Sequence, residues 1–283
     1  MTGEWPFANP VLVAAGCGGS GRDLAAYGDL GTLGGFVTRS VTLQPRPGGA
    51  EPRIVESPSG LVNAIGLQNP GVAGLLRDEL PPLLELGATV VVSIAGHSLG
   101  EYAELARTLG RTDGVAALEV NLSAPDPLGA GVLDAREPFQ AASVVSSCRR
   151  DLRAGRLLLV KLRSEPGRVA ETAKAVIDAG ADALVVGNAL PAALPDGRPG
   201  GLSGPAVRPQ VLRCVAAVVD ALPDTPVIGC GGIMDAEDAH SYLAAGARAV
   251  EVGTALFHDP TTAFRLAREL APEPDSPARE DDA

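Results

Sequence analysis

Short apolar segments alternate with amphipathic segments eight times along the chain. The apolar segments have the length of buried strands, and the amphipathic segments repeat their apolar positions at helical spacing. The predicted strands lie near 11–15, 35–38, 89–94, 117–121, 157–162, 183–187, 226–229 and 249–252. The predicted helices lie near 23–30, 71–86, 99–109, 137–153, 166–179, 205–221, 235–245 and 261–270. Strands that alternate with helices pair in parallel through right-handed crossovers, so eight such units predict a single-domain (β/α)8 TIM barrel.

An open, doubly wound sheet is the alternative fold. Its glycine fingerprint would normally follow the first strand, where the segment GCGG at 16–19 is only a loose match. The barrel is therefore the favoured prediction, and it is assigned to residues 1–270. The segment 271–283 is rich in proline and acidic residues, and we predict that it is disordered.

Two of the predicted connections are much longer than the usual loop of about two to six residues after a barrel strand. The first spans 39–71 and the second spans 188–204. Long ordered loops commonly line or cover a binding site. We therefore predict that loop 39–71 lies over the active site.

Glycines end the last two predicted strands. Gly231 and Gly232 follow the seventh strand, and Gly253 and Thr254 follow the eighth. Because glycine has no Cβ, backbone N–H groups can approach an anion closely there, and the helix that starts near 235 would add its positive end. A phosphate site in a barrel commonly lies after strands 7 and 8, so the pattern predicts a phosphate cradle, with two ordinary glycine turns as the alternative.

The composition limits the possible partners and compartments. A net charge of −11 without a basic run argues against nucleic-acid binding. No apolar run reaches the ~18 residues that span a bilayer, and the start MTGEWPFANP lacks the features of a secretion signal, so we expect a cytoplasmic protein away from membranes. The four cysteines are dispersed without a C-x-x-C pair, which argues against a bound metal.

Polar residues at the carboxyl ends of barrel strands are the candidates for function. Lys161 interrupts the apolar run LLLVKL, where an ammonium needs an anionic partner. The N1–C2=O edge of a reduced flavin is one such partner, and the alternative is that the lysine extends out of the barrel mouth into water. Asn63, Asn121 and Asn188 offer donors and acceptors for a planar, amide-edged ligand, although asparagines in turns also serve local roles.

The chain resembles a known enzyme family over seven segments that occur in order between about 9 and 258. These are NPVLVAAG, TRSVT, EPRIVESPSGLVNAIGLQNPG, ALEVNLSAPD, VKL, GGLSGPAVRP and IGCGGIMDAEDAHSYLAAGARAVEVGTALF. On these segments it is similar to the class 1 dihydroorotate dehydrogenases. The resemblance implies an FMN-containing barrel that oxidises a saturated C–C bond of a cyclic, imide-like acid and passes hydride to flavin N5. It also implies a homodimer, and a separate electron-transfer subunit as a possible partner.

The resemblance also implies residue roles. The positions that match the cofactor site are Ala15, Gly16, Arg39, Ser40, Asn121, Lys161, Gly204, Gly231, Gly232, Gly253 and Thr254. The positions that match the substrate site are Asn63, Gly66, Leu67, Asn121, Asp126 and Asn188.

The chain departs from the family at the catalytic loop, where NLSAPD stands in place of the usual NxSCPN. Ala124 occupies the position of the cysteine base, and Asp126 that of an asparagine which donates to the substrate. A positioned base contributes ~10²–10⁴ in rate, so its loss predicts slow turnover of dihydroorotate unless Asp126 or His97 replaces it. His97 could equally cap the next helix. Besides these positions Lys161 is the remaining catalytic candidate, while Arg39 replaces a family lysine and is bulkier and forked.

Four functions fit the sequence. The leading one is an FMN-dependent oxidoreductase that transfers hydride between flavin N5 and the C–C or C=C bond of a small cyclic amide-like or enone-like substrate. The second is a genuine dihydroorotate dehydrogenase of pyrimidine biosynthesis. The third is a flavin-binding electron-transfer or regulatory subunit without its own catalysis, and the fourth is a barrel that binds a sugar phosphate instead of flavin.

Overall fold

The computed structural model describes residues 4–124 and 131–271. The prediction of a disordered tail at 271–283 falls almost wholly outside these ranges. The strands of the described residues, in chain order, are β1 (Val11–Val13), β2 (Gly35–Val37), β3 (Ile54–Ser57), β4 (Gly60–Asn63), β5 (Val90–Ile94), β6 (Val115–Asn121), β7 (Leu157–Leu162), β8 (Ala183–Val186), β9 (Leu190–Ala193), β10 (Pro199–Ser203), β11 (Val227–Cys230) and β12 (Ala249–Val252).

The helices follow the barrel strands closely. In chain order they are α1 (Arg22–Ala25), α2 (Gly71–Gly74), α3 (Leu80–Glu85), α4 (Leu99–Gly110), α5 (Pro138–Asp151), α6 (Val169–Asp178), α7 (Arg208–Ala221), α8 (Ala236–Ala244), α9 (Ala255–His258) and α10 (Thr262–Glu269). A π-helical turn, Leu75–Glu79, joins α2 to α3. No helix in the described part of the chain is long and apolar enough to cross a bilayer.

Eight of the strands close into a parallel barrel. Their order around it is β1-β12-β11-β8-β7-β6-β5-β2, and every neighbouring pair is parallel. The predicted single-domain (β/α)8 barrel is thereby confirmed. Because all eight strands run in the same direction, their carboxyl ends meet at one rim.

The first predicted helix, at 23–30, is wrong in length. Helix α1 ends at Ala25, and a 3-10 turn follows at Leu30–Thr32. Glycine is a poor helix former, and Gly28 also lies directly under the ring of Phe264 from α10, where a Cβ would be 2.5 Å from Phe264 Cγ. The Phe264 ring therefore occupies the space into which a longer first helix would extend.

The residues of each barrel strand alternate between two apolar clusters. On β6 and β7, Ala117, Leu157 and Leu159 pack inside the barrel, whereas Leu118 and Leu158 pack in the layer beneath the helices. Glu119 and Lys161 share the inward phase with Ala117 and Leu159, so the alternation directs two ionisable side chains into the barrel interior.

The two long loops, 39–71 and 188–204, build a second sheet that the sequence analysis missed. Strands β3 and β4 from the first loop join β10 and β9 from the second in an antiparallel sheet of order β3-β4-β10-β9. The pairing between the loops matches Asn63 with Gly201 and Val62 with Leu202. Alternation of polar and apolar residues is weak in these short strands, so no periodic signal marks them in the sequence.

Asn69 holds the long loop onto the barrel. Its side chain is buried, its Oδ1 accepts from Thr42 N at 3.2 Å and from Gly71 N at 2.8 Å, and its Nδ2 donates to Leu67 O at 2.8 Å. Its backbone pairs in both directions with Arg46. One side chain therefore ties the start of the loop to its end.

Replacing this side chain should destabilise the fold. In Asn69→Ala the N–H groups of Thr42 and Gly71 lose their acceptor, and we expect the free energy of unfolding to fall by about 1–3 kcal/mol in urea denaturation. Arg77→Ala, which removes an exposed ion pair with the adjacent Asp78, is the control and should change it by less than about 0.5 kcal/mol. Equal unfolding curves for the two variants would contradict the anchoring role.

Candidate active site

A cavity of about 590 Å³ opens at the carboxyl ends of the barrel strands. Its size is typical of a site for a small molecule or cofactor. The predicted site residues that line it are Ala15, Gly16, Arg39, Ser40, Asn63, Gly66, Leu67, Asn121, Ala124, Lys161, Asn188, Gly204, Gly231, Gly232, Gly253 and Thr254. The barrel rim and the antiparallel sheet thus bring most of the predicted set together.

Several glycines that line the cavity adopt conformations or lie in spaces that favour glycine. Gly232 has φ 70° and Gly204 has φ 97°, a conformation that favours glycine, and a Cβ on Gly232 would lie 2.8 Å from Gly204 O. Gly16 has φ 79° and lines the cavity, yet a Cβ there would meet no protein atom within 4 Å. The space beside Gly16 is therefore open to a ligand.

The positive end of α8 does not contribute to this cradle as predicted. The Asp235 side chain accepts from Asp238 N at 3.0 Å, and the Asp238 side chain accepts from Met234 N at 2.9 Å and pairs with Arg208. None of the residues 234–238 is among those that line the cavity. The helix terminus is neutralised by the protein's own carboxylates, so the cradle consists of loop glycines and Thr254. The Tyr242 hydroxyl donates to Gly231 O at 2.6 Å and so fixes the backbone of the glycine cradle.

Hydrogen bonds through the buried Ser123 connect polar side chains that line the cavity. Asn188 Nδ2 donates to Ser123 Oγ at 2.7 Å, and Ser123 Oγ donates to Asn121 Oδ1 at 2.8 Å. Asn121 Nδ2 in turn donates to Ser40 Oγ at 2.9 Å. On the opposite wall Asn63 Nδ2 donates to Gly201 O at 3.1 Å. Each carboxamide keeps unused hydrogen-bonding capacity, because a primary amide offers two donor hydrogens and two acceptor sites.

Ala124 lies in an apolar part of the same cavity. It is buried together with Ala95 and Val132, and Leu67 packs against the three. The nearest hydroxyl along the chain, Ser123, already takes part in the asparagine network. Residue 126 is outside the described ranges, so the predicted roles of Asp126 are not placed by the structure.

His97 stands apart from the cavity lining. Its ring Nε2 is 3.3 Å from Arg46 Nη1, and its backbone N–H donates to Glu101 Oε2 at 2.7 Å. The α4 cap is the neighbouring Ser98, whose Oγ accepts from Glu101 N at 3.3 Å. The side chain of His97 is exposed and is not among the residues that line the cavity.

Lys161 is buried and is paired within the protein. Its ammonium lies 2.5 Å from Glu251 Oε2 and 3.9 Å from Glu119 Oε2, and the three side chains are 3%, 0% and 0% exposed. The lysine therefore neither extends into water nor depends on a ligand for its anionic partner. The sequence analysis predicted a flavin as the anionic partner of Lys161. The structure shows instead that Glu251 and Glu119 supply the negative charge.

Burial and neighbouring charges shift the pKa values of Lys161 and Glu119. Burial by itself lowers the pKa of Lys161, but the acidic groups of Cys230, Glu119 and Glu251 outweigh burial and hold that pKa well above its ordinary value. Burial, followed by the charge of Glu251, raises the pKa of Glu119 from 4.5 to about 8. Both directions favour a charged Lys161 and a protonated Glu119 at neutral pH.

Similarity to known proteins covers nearly the whole chain. A model of the family described as dihydroorotate dehydrogenase matches residues 3–273. The chain belongs to the dihydroorotate dehydrogenase family. Among its relatives is a protein of Desulforudis audaxviator called dihydroorotate dehydrogenase B (NAD(+)), catalytic subunit, which is 46% identical over 93% of this chain and 87% of its own. A protein of Geotalea uraniireducens with the same name is 43% identical over 93% of this chain and 88% of its own.

A solved structure supports the fold independently. The dihydroorotate dehydrogenase of Eimeria tenella, crystallised with ferulenol, superposes with a TM-score of 0.76 at 22% identity and covers 92% of this chain and 80% of its own. Membership of the dihydroorotate dehydrogenase family makes the chain an oxidoreductase that acts on CH–CH bonds. A flavin-binding subunit without its own catalysis and a sugar-phosphate barrel lose their support as alternatives.

Glu119 and Glu251 are the site residues that the sequence analysis missed. Each lies two positions before a predicted site residue on the same strand run, Glu119 before Asn121 and Glu251 before Gly253. The sequence signal that could have identified them is a glutamate in the inward phase of an otherwise apolar barrel strand.

Cys17 and Cys230 also line the cavity, and their burial raises the pKa of both thiols. In the described residues, no group of three or more metal-binding side chains is placed to hold an ion.

The proton on Glu119 predicts a pH dependence of stability. Between pH 4.5 and about 8 the folded protein holds this proton and the unfolded chain does not, so stability from this group is lost as the pH rises through that window. As the pH rises, the free energy of unfolding of the native protein should fall, relative to that of Glu119→Gln, by up to about 1.4 kcal/mol per pH unit. Urea denaturation across pH 5–9 measures the difference.

The exposed Glu104 provides the matched control. Glu104→Gln should follow the native protein across the range, because its carboxylate is in water beside Arg107. A Glu119→Gln curve parallel to the native one would show that Glu119 is ionised in the folded protein.

Proposed function

We propose that the chain is an FMN-dependent oxidoreductase that acts on a CH–CH or C=C bond of a small cyclic, amide-like or enone-like substrate without a cysteine base. The observation that carries this proposal is the convergence of the glycine cradle, Lys161 and three asparagines on one cavity in which Ala124 stands in an apolar wall. The cradle and the amide network suit a flavin and a planar ligand, whereas nothing at Ala124 can accept a proton.

The residues that would hold FMN are those around the open space beside Gly16. The backbone of Gly232 and Gly253 would face the phosphate, since their N–H groups can approach an anion without obstruction by a Cβ, and Thr254 beside them would add its own N–H and hydroxyl. Lys161 would lie beside the ring, where its charge favours the reduced form. FMN in this place would supply hydride transfer at N5.

The asparagines would hold the substrate. Asn63, Asn121 and Asn188 line the cavity from different strands and loops, and each keeps unused donors or acceptors. Their existing hydrogen bonds to Gly201, Ser40 and Ser123 fix the orientation of the carboxamides before a ligand binds. Such preorganisation lowers the entropy cost of binding.

The missing base limits the chemistry. Ala124 is buried with Ala95 and Val132, and it offers no acceptor for a proton from the substrate carbon. The substrate that fits this wall has an acidic carbon of its own, or an activated C=C bond that takes its proton from water. Asp126 remains a predicted replacement for the base.

Dihydroorotate is the second candidate substrate. Relatives up to 46% identical carry the name dihydroorotate dehydrogenase B, catalytic subunit, and the three asparagines that match the family's substrate site line the cavity. This function would place the chain in pyrimidine biosynthesis. The name of these relatives also supports a separate electron-transfer subunit as the partner. A homodimer and a cytoplasmic location stay predictions from the sequence.

Gly16→Ala should weaken FMN binding selectively. Its Cβ would enter the open space beside the cradle, so we expect the Kd for FMN to rise at least tenfold, about 1.4 kcal/mol. Gly155→Ala is the matched control, since Gly155 has a similar φ of 83° and also no atom within 4 Å of the added Cβ, but lies outside the cavity. Fluorescence titration of FMN into the flavin-free protein measures both; native protein that takes up no FMN would overturn the proposed function.

Ala124→Cys tests the missing base. If dihydroorotate binds in the cavity, a thiol at this position should raise its slow oxidation by ~10²-fold or more, measured with an artificial electron acceptor. Ala95→Cys places a thiol in the same apolar cluster but not in the cavity lining, and it should leave the rate unchanged. Rapid oxidation of dihydroorotate by the native protein would instead favour the second candidate and argue against a changed substrate.

A further inference from the structure

Three buried ionisable groups form a compact cluster at the base of the cavity. Lys161 on β7 lies between Glu251 on β12 and Glu119 on β6, with oxygen distances from its ammonium of 2.5 Å and 3.9 Å. Only Lys161 of the three lines the cavity. We call these residues the Glu-Lys-Glu cluster; β6 and β7 are neighbouring strands, β12 lies across the barrel from β6, and the apolar interior surrounds the three side chains.

The cluster has one more acidic group than its single cation can neutralise. Among the described residues neither carboxyl oxygen of Glu119 nor Oε1 of Glu251 accepts a hydrogen bond of good geometry, although the Ser93 hydroxyl lies near Glu119. Two bare carboxylates on one ammonium would leave a buried negative charge, which is costly away from water. A proton on Glu119 removes the excess charge and supplies a donor within the cluster.

The other groups that face Glu119 do not change this excess of acidic groups over cations. From β5 it is approached by the Ser93 hydroxyl, from β11 by Cys230 and from β12 by Glu251. Cys17, in the loop after β1, faces Lys161 and Glu251. Burial raises the pKa of Cys17 to about 11 and that of Cys230 further, so both thiols are neutral at neutral pH.

We propose that Glu119 and Glu251 are positioning residues that hold Lys161 in place and, through one proton carried by Glu119, set the charge that Lys161 presents to the flavin. This inference rests on the proposed function. With the proton in place the cluster is neutral as a whole and the ammonium can favour an electron-rich ring edge. When the proton leaves, the cluster becomes negative and the same ammonium is fully compensated by carboxylates.

The proton itself can be tested in the protein without flavin. Infrared difference spectra between pH 6 and pH 10 should show the C=O stretch of a protonated, buried carboxyl that disappears as the pH rises. Glu119→Gln should lack this signal. Glu251→Gln should also lack it at neutral pH, because Lys161 would then be left with Glu119 as its remaining carboxylate and would favour its ionised form. Glu251→Asp, which keeps the charge, should retain the signal.

The effect on the flavin is tested by its reduction potential in the FMN-loaded protein. From pH 7 to pH 9 the potential of the native protein should fall by about 30 mV more than that of Glu119→Gln, which corresponds to a tenfold loss of preference for the reduced form in a two-electron couple. Glu104→Gln is the control for the general pH dependence and should follow the native protein. A merely structural role of Glu119 would leave the pH dependence of the potential unchanged.

The outcomes separate the two proposals. Absence of FMN binding would overturn the proposed function and with it the role of the cluster toward flavin. The infrared signal would still show whether Glu119 carries the proton. FMN binding with equal pH dependence of the potential in native protein and Glu119→Gln would overturn this inference and leave the proposed function intact. An infrared signal that survives in Glu119→Gln would assign the proton elsewhere and overturn it as well.

Discussion

The structure depends on the closure of eight parallel strands. Closure forces the carboxyl ends of all strands to one rim, so side chains that are more than 200 positions apart in sequence face a common cavity. It also creates an interior that water does not enter, in which every inward side chain has to find its partners among other strands. The glycine cradle, the asparagine network and the Glu-Lys-Glu cluster all follow from this geometry.

The buried cluster shows why an ion inside a barrel is informative. In many proteins a buried group of ionisable side chains can be replaced by apolar side chains of similar volume without loss of stability. Here the cluster lies directly beneath the cavity, and one of its members forms part of the cavity wall. The position of the cluster therefore favours a role of its ionisable side chains at the cavity over a contribution to the stability of the fold.

The sequence predicted the barrel because strand and helix periodicities are local and strong, and the strand bounds differ from the structure by only a residue or two. It also predicted most of the cavity lining, since residues that follow barrel strands must face the rim. It did not predict what depends on long-range pairing. The β4–β10 ladder joins segments about 140 residues apart, the partner of Lys161 comes from β12, and Asp235 and Asp238 neutralise a helix end that was expected to face a phosphate.

The antiparallel sheet has a consequence for how this site can diversify. Because β4 pairs with β10 and the Asn63 side chain donates to Gly201 O, the cavity wall formed by the two loops behaves as one unit. An insertion or a shift of register in either loop would move residues of the other, and a one-residue slip would turn Asn63 away from the cavity. New specificities are therefore more accessible through exchange of single side chains on this wall than through changes in loop length.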